Sequence, residues 1–205
     1  MSKIVWIATA QMSPENVYWF EGAALPGDEK DPSSFRARNE KGEALSDECF
    51  HQVLWTQPAA KQNYAKLPHL FAGPNGLIVS GECADLLQKF DLGNGNLYPV
   101  QLLNLDKKTP VSGAYFYLNI GNTKDAILPV KSQKVRPAPG GGLIVSFTVK
   151  DNDLAVSENT LSGPDVWVDS AIRYAFFLSN RLAKALSNAG MAKPFRLRKC
   201  RIAET

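Results

Sequence analysis

Short runs of β-branched and aromatic residues alternate along the chain with polar segments that contain glycine and proline. Runs of this composition and length are typical of β-strands, and the segments between them are typical of turns and loops. The pattern predicts strands at residues 4–9, 17–20, 51–56, 77–79, 97–105, 114–120 and 143–149, and a hairpin with arms at residues 165–169 and 172–178.

One pattern, an apolar strand followed by serine, a short amphipathic segment and glycine, occurs twice, at residues 77–93 and 176–190. In each copy the serine, Ser80 or Ser179, stands where a helix begins, because its hydroxyl can accept a hydrogen bond from a first-turn N–H. Apolar residues then recur at spacings of three and four, which predicts one buried helix face in each copy. The residues predicted to be buried are Cys83, Leu86, Leu87 and Phe90 in the first copy, and Leu182, Ala185, Leu186 and Ala189 in the second.

The two copies align through their helices without gaps, at an offset of 99 residues. A returning strand follows each helix, and one deletion in the second glycine loop is expected to match Leu97 with Phe195. We interpret the two copies as a duplicated strand–helix–strand unit, at residues 77–105 and 172–202; chance similarity between two ordinary units of this kind is the alternative.

These elements predict an α+β fold, with a strand-rich mixed sheet and a few short helices packed on it. Residues 1–70 are expected to supply N-terminal strands and a long irregular polar excursion at 21–49, with room for one strand. Residues 71–205 are expected to form the α+β region that holds both units. Residues 57–70 have an ambiguous pattern, and one interpretation is a short helix from Pro58 through Lys66 that Pro68 stops. The chain has 205 residues, 44% of them hydrophobic, which suits one compact domain.

Positive charge is concentrated near the C-terminal end. The whole chain has a net charge of +3, but residues 171–205 carry eight basic residues against Glu204 alone. Arg196 and Arg198 are predicted to lie on one face of the last strand. We interpret them as a solvated face balanced by acidic residues from the first 170 positions, and a docking surface for an acidic partner is the alternative. Nucleic-acid binding is disfavoured because it needs several stacking aromatic residues, and only Phe195 is aromatic here.

No residue pattern in the sequence predicts a reaction centre. The two histidines, His51 and His69, lie in no catalytic motif, so a Ser–His or Cys–His pair would require proximity in the fold. Cys49 and the histidines lack the spacing of a zinc site, and Cys83 and Cys200 are interpreted as small core residues. We therefore predict no cofactor, no metal and no catalytic residue, with an enzyme that uses a site without a motif as an alternative.

The sequence has no apolar run that approaches the roughly 18 residues of a membrane helix, and its N-terminus lacks the apolar region of a signal peptide. We expect a soluble cytoplasmic protein without a membrane partner.

The later part of the chain resembles a family of bacterial immunity proteins, group eleven among the immunity domains of polymorphic toxin systems, formerly a domain of unknown function. The resemblance covers roughly residues 70–202. It is carried by VSGECADLLQKFDLGNGNLYPV (79–100), YFYLNI (115–120), VWVD (166–169) and FFLSNRLAKALSNAGMAKPFRL (176–197).

The resemblance implies a non-catalytic protein that neutralises a cognate toxin by covering its active site, as a monomer or small homo-oligomer. It supplies no catalytic residues. Candidate partner-binding residues, chosen from the exposed or mobile-looking parts of the sequence, are Tyr18, Trp19, Phe35, Arg36, Arg38, Glu40, Arg196 and Arg198. Packing of the aromatic run in a core strand, and an ordinary loop at the excursion, are the alternatives.

Overall fold

The computed structural model describes residues 4–23, 25 and 32–204. The helices are α1 (Pro32–Glu40), α2 (Gly81–Leu87) and α3 (Asn180–Asn188). The strands are β1 (Val5–Ala8), β2 (Phe20–Glu21), β3 (Val53–Thr56), β4 (Leu70–Gly73), β5 (Gly76–Ser80), β6 (Asn96–Leu103), β7 (Tyr115–Asn119), β8 (Val135–Pro137), β9 (Leu143–Val145), β10 (Ala155–Ser157), β11 (Val166–Trp167), β12 (Ile172–Arg173), β13 (Phe176–Ser179) and β14 (Leu197–Ala203). Short 3₁₀ helices lie at Ala10–Met12, Pro14–Asn16, Asp47–Cys49, Pro58–Ala60, Pro129–Lys131, Glu158–Leu161 and Lys193–Phe195.

Within the described residues the strands form three sheets. The first has the order β2-β3-β6-β7-β5-β4, the second β10-β14-β1-β13-β11, and the third β12-β9-β8. Each contains one parallel pair, β3 with β6, β10 with β14 and β12 with β9, and the other pairs are antiparallel. The prediction of a strand-rich, mixed α+β fold with a few short helices is confirmed.

The two larger sheets share one arrangement. In the first, β7 lies between the strand before α2 and the strand after it, and is antiparallel to both. In the second, β1 has the same position between β13 and β14, on either side of α3. The outer neighbours match as well, because β4 and β11 are antiparallel to the strand before the helix while β3 and β10 are parallel to the strand after it. The two strand–helix–strand units therefore have the same topology.

The strand register corrects the predicted alignment of the returning strands. Leu97 pairs with Leu118 in the first sheet, and Leu197 pairs with Ala8 at the equivalent position of the second. Leu97 therefore corresponds to Leu197, and its predicted match with Phe195 is wrong. The second unit has one extra residue where a deletion was expected, since a 3₁₀ turn buries Phe195 before the strand begins.

Both helices begin and end as the paired pattern predicts. Ser80 and Ser179 each cap their helix with the side-chain oxygen, and each helix is followed by a glycine with positive φ, Gly93 at 57° and Gly190 at 73°. The predicted faces are only partly correct. The fully buried residues are Cys83, Ala84 and Leu87 in α2 and Leu182, Ala183 and Leu186 in α3, whereas Leu86, Phe90 and Ala185 are half-buried and Ala189 is exposed.

Side chains from both larger sheets meet α2 and α3 in one apolar cluster. The sheets contribute alternate residues to it, among them Leu77, Val79, Leu118, Ala8, Phe176 and Leu178. The intervening residues point to the opposite faces, where Phe71, Ile78 and Tyr117 lie in one further cluster and Ile7, Trp167 and Phe177 in another. This alternation is the period of two that strand geometry imposes.

Several segments depart from the predicted elements, among them the strand at 17–20, which is reduced to β2, and the hairpin arm at 172–178, which is divided between β12 and β13 in different sheets. The excursion at 21–49 contains the helix α1, where at most a strand was expected, and Asn39 fastens this helix to the first sheet by donating to the Leu118 carbonyl at 3.3 Å. The predicted helix after Pro58 is only a 3₁₀ turn. The predicted strand at 143–149 ends at Val145 because the chain turns there.

Candidate functional site

A polar cluster lies at the start of α2, formed by His69, Ser80 and Glu82 and called the first polar cluster below. Ser80 Oγ accepts the N–H of Cys83 at 3.3 Å and lies 2.8 Å from His69 Nδ1. Glu82 Oε2 lies 3.7 Å from the same nitrogen. These three residues line an open groove of about 490 Å³, with Lys66 and the half-buried side of α2 around them. The proximity in the fold that a Ser–His pair requires is thus present.

The geometry of the first polar cluster differs from that of a catalytic triad. In such a triad the serine and the acid bond to opposite nitrogens of the imidazole, so that the acid fixes the tautomer that accepts the serine proton. Here Ser80 and Glu82 both approach Nδ1 of His69. The serine hydroxyl also serves the helix by accepting a backbone N–H, which is the ordinary role of an N-cap. The arrangement suits a helix cap held by a neighbouring strand.

The second unit has a polar cluster at the same place, formed by Asp165, Ser179 and Arg181 and called the second polar cluster. Ser179 accepts the N–H of Leu182 at 3.2 Å and donates its hydroxyl to Asp165. Arg181 donates to the two oxygens of the Asp165 carboxylate at 2.6 and 2.5 Å. A further N–H, from Asp91, reaches this carboxylate at 2.9 Å. The buried charge is therefore fully paired, as burial in a low dielectric requires.

Backbone hydrogen bonds show that the two clusters are equivalent. The N–H of Ser80 donates to the carbonyl of His69 at 3.2 Å, and the N–H of Ser179 donates to the carbonyl of Asp165 at 2.9 Å. The third members also correspond, because Glu82 and Arg181 each lie two residues after the serine. The residue just before the neighbouring strand is basic in the first cluster (His69) and acidic in the second (Asp165). The helix residue is acidic in the first cluster (Glu82) and basic in the second (Arg181).

Lys124 lies beside the second polar cluster. Its Nζ is 3.6 Å from the centre of the Trp167 ring and donates to the carbonyls of Ser162 and Pro164 at 2.7 and 3.2 Å. Burial lowers the pKa of this lysine to about 8, and the nearby carboxylates of Asp165 and Asp91 oppose that shift. Sequence reasoning missed Lys124, Asp165 and Arg181 because their contacts join segments that are distant along the chain.

The two predicted N-terminal partner residues differ in burial, since Tyr18 packs against other rings and Trp19 is exposed. Tyr18 packs edge-on against the rings of Tyr64 and Phe71, at centroid distances of 5.1 and 5.4 Å, and burial together with Tyr64 raises its pKa. Trp19, the next residue, is 53% exposed, although its backbone is held by the Tyr64 hydroxyl and by the N–H of Gln57. Tyr18 is thus partly buried against the core although it lies before β2 and in no strand, and Trp19 is exposed.

Trp19 lies on an outward surface called the tryptophan face, formed by Trp19, Glu21, Val53 and Trp55. Glu21 pairs directly with Trp55, and residues that pair across strands point to the same side of a sheet. The Trp55 indole donates to the Glu21 carboxylate at 2.6 Å, and Lys107 Nζ lies 4.3 Å from the Trp55 ring centre. Val53 and Trp55 also line a groove of about 400 Å³.

The candidate partner-binding residues of α1 make contacts with other residues of the protein. Phe35 packs against the cluster on the outer side of the first sheet. Arg36 Nε lies 2.8 Å from the carboxylate of Glu40, one helical turn away, and Arg38 Nε lies 2.7 Å from Glu43. Such surface pairs contribute little stability but keep the charges close to one another.

The C-terminal candidates do not share a strand face, so that prediction is wrong. Arg196 precedes β14 in a left-handed conformation with φ of 53°, and its guanidinium donates to Ser13 Oγ at 3.1 Å. Arg198 lies in β14 and is exposed, and its Nε donates to the Val149 carbonyl at 3.2 Å. The extra residue that buries Phe195 causes this difference.

Cysteine and metal chemistry gain no support from the described ranges. Cys83 and Cys200 are buried, as predicted, and burial raises the pKa of each thiol to about 12, so neither is a thiolate at neutral pH. Cys49 is buried as well. Among residues 4–23, 25 and 32–204, no group of three His, Cys, Asp or Glu side chains is placed to hold a metal ion.

No helix in the described part of the chain is long and apolar enough to cross a membrane. In comparisons with known proteins, no family model matches the chain and no curated protein matches it significantly.

Proposed function

We propose that this protein is a non-catalytic binding protein of the immunity class, which neutralises a cognate toxin by covering the toxin's active surface. The observation that carries the proposal is the tryptophan face. Trp19 is 53% exposed and Val53 37% exposed, although both belong to well-held backbone. Both lie on one outward surface, and an exposed apolar patch of neighbouring side chains is typical of an interaction site. Tryptophan is also the residue that most often dominates the binding energy of a protein–protein interface.

The polar groups around this face fit the same function. Glu21 and Lys107 lie 4.0 Å apart beside Trp55, which gives the apolar centre a charged edge. Protein–protein interfaces commonly combine an apolar, aromatic centre with a polar rim. The resemblance of residues 70–202 to immunity proteins supports the choice of a toxin as the partner. In this proposal the protein acts in the cytoplasm, as a monomer or small homo-oligomer.

Because immunity proteins of this class are encoded beside their toxins, co-expression with the product of the neighbouring gene tests the proposal. The chain is expected to restore growth and to co-purify with the toxin in a fixed ratio. Trp19→Asp is expected to weaken the complex by about a hundredfold, since it removes a central aromatic anchor. Val130→Asp, at a fully exposed valine outside the tryptophan face, serves as the control and keeps binding. Unrelieved toxicity without a detectable complex would refute the proposal.

A second candidate function, hydrolysis by Ser80, is favoured by the 2.8 Å contact between Ser80 Oγ and His69 Nδ1. Its test is the cleavage of an activated ester such as p-nitrophenyl acetate. An enzyme would lose turnover in Ser80→Ala and retain it in Ser179→Ala. Equal background rates in the wild type and both variants would exclude this function for that ester.

A further inference from the structure

Two segments of the chain, 126–150 and 190–203, contain basic residues and no acidic ones. The first carries Lys131, Lys134, Arg136 and Lys150, and the second carries Lys193, Arg196, Arg198, Lys199 and Arg201. Only the second segment is conspicuous in the sequence, because aspartates at both ends of the first one mask its charge in a regional sum.

The fold brings these two segments together. Arg201 Nη2 donates to the carbonyl of Lys131 at 2.7 Å, and Arg198 Nε donates to the carbonyl of Val149 at 3.2 Å. Lys131 Nζ in turn donates to the backbone carbonyl of Glu204. Basic side chains from both segments thus form one surface, called the basic face below.

The charge of the basic face is not neutralised by ion pairs. In the part of the chain that the structure describes, no carboxylate forms a salt bridge with Arg198 or Arg201, which bond to neutral carbonyls. Asp151 accepts the N–H of Lys199 at 3.0 Å and Asp153 that of Lys150 at 2.8 Å. The predicted balance by acidic residues therefore involves no direct ion pair at these two arginines within the described residues.

An exposed aromatic ring lies on the basic face. Phe147 is 66% exposed, although its turn is held by the bond from Val149 N–H to the Ser146 carbonyl at 3.1 Å. Phe147, Lys150 and Arg198 together line a shallow cleft of about 470 Å³. An exposed ring beside arginine has the composition of an interface centre, where aromatic residues and arginine are enriched.

We propose that the basic face binds an acidic polypeptide segment, whose carboxylates contact Arg198, Lys150 and Lys134 and whose apolar side chain covers Phe147. Charge complementarity selects an acidic partner, because arginine forks match carboxylates. A polypeptide fits better than a nucleic acid. The lining offers one aromatic ring, whereas single-strand binding uses successive stacking rings. The proposal does not rest on the proposed function.

Fluorescence anisotropy with a labelled glutamate–leucine peptide tests this inference, with a labelled single-stranded oligonucleotide as the competing probe. The peptide is expected to bind, and more weakly as salt rises. Lys134→Glu with Lys150→Glu is expected to weaken binding about tenfold or more. Lys89→Glu with Lys184→Glu, two exposed lysines near or on the helices, makes the same charge change and leaves binding intact.

Phe147→Ala separates the apolar contact from the charge. It is expected to weaken peptide binding while leaving the salt dependence unchanged, because no charge is altered. Circular dichroism of each variant shows that it is folded. No binding by the wild type, equal loss in both lysine pairs, or tighter binding of the oligonucleotide than of the peptide would overturn the proposal.

Discussion

The two strand–helix–strand units share a topology but differ in the charges at their helix starts. In the first polar cluster the residue just before the neighbouring strand is a histidine, and the helix supplies a glutamate whose side chain is 76% exposed. In the second, the equivalent residue is an aspartate whose side chain is only 1% exposed, and the helix supplies an arginine that is 64% exposed. The same backbone position can thus hold an open contact around a histidine or a buried, bidentate ion pair.

This difference shows which features the fold requires. Both units keep the capping serine and the backbone bond between that serine and the neighbouring strand. The acidic and basic residues around the serine can exchange places between the two units, provided that the two members of each pair complement each other. The serine beside a histidine in the first unit therefore has a structural explanation as a helix cap, since the serine beside an aspartate caps the helix of the second unit.

The units also differ in where their central strand comes from. The first sheet takes β7 from the chain just after its returning strand, whereas the second takes β1 from the opposite end of the sequence. The second unit therefore depends on contacts between residues far apart along the chain.

The largest expected effect is the loss of stability when a charged residue is introduced at equivalent positions of the two central strands. Ile7 and Tyr117 are both fully buried, and each pairs with the middle of the strand before its helix. Ile7→Asp and Tyr117→Asp each bury an unpaired carboxylate and are expected to cost more than about 4 kcal/mol of unfolding free energy. Urea unfolding checks this. Val130→Asp, at an exposed position, is expected to stay within about 0.5 kcal/mol of the wild type.

A smaller effect is expected from removing the strand partner of each polar cluster. Asp165→Asn leaves the shape but weakens several bonds to a buried carboxylate, at an expected cost of about 2–3 kcal/mol. His69→Gln removes one contact of a partly exposed side chain and is expected to cost about 1 kcal/mol or less. Equal losses in the two variants, measured by urea unfolding against an exposed control, Asp85→Asn, would contradict the distinction between the clusters.

The smallest expected effect is the pH dependence of stability that arises from Lys124, which lies beside the second polar cluster. Its pKa is about 8 in the folded protein against an ordinary value of 10.5, so between these values the unfolded chain binds more protons. The free energy of unfolding is therefore expected to rise as the pH increases through about 8. Below that pH, the destabilisation caused by burying the charged lysine is fully present. The measurement compares the pH dependence of the unfolding free energy in the wild type and in Lys124→Met. The difference between them isolates Lys124, because the thiols titrate alike in both proteins. Identical pH slopes would show that this lysine is not shifted.

The sequence predicted the strand-rich α+β fold, both capping serines and the repeated unit, because these depend on local pattern. It did not predict α1, whose polar sequence has little apolar periodicity and whose position depends on Asn39 reaching the first sheet. It placed Arg196 and Arg198 on one face because a single extra residue before β14 leaves no local signal. Of the residues in the proposed binding surfaces, the sequence named Trp19 as a candidate but not Phe147 or Lys134, since the basic face is formed only when two distant segments meet.

Paired unfolding measurements on Ser80→Ala and Ser179→Ala test the central claim, that both serines belong to one duplicated construction. Each variant is expected to lose about 1 kcal/mol as its helix cap disappears. Ser179→Ala is expected to lose more, because its hydroxyl also bonds the buried Asp165. If Ser80→Ala leaves the unfolding free energy unchanged while Ser179→Ala is destabilised, Ser80 is not a structural counterpart of Ser179, and the claim is contradicted.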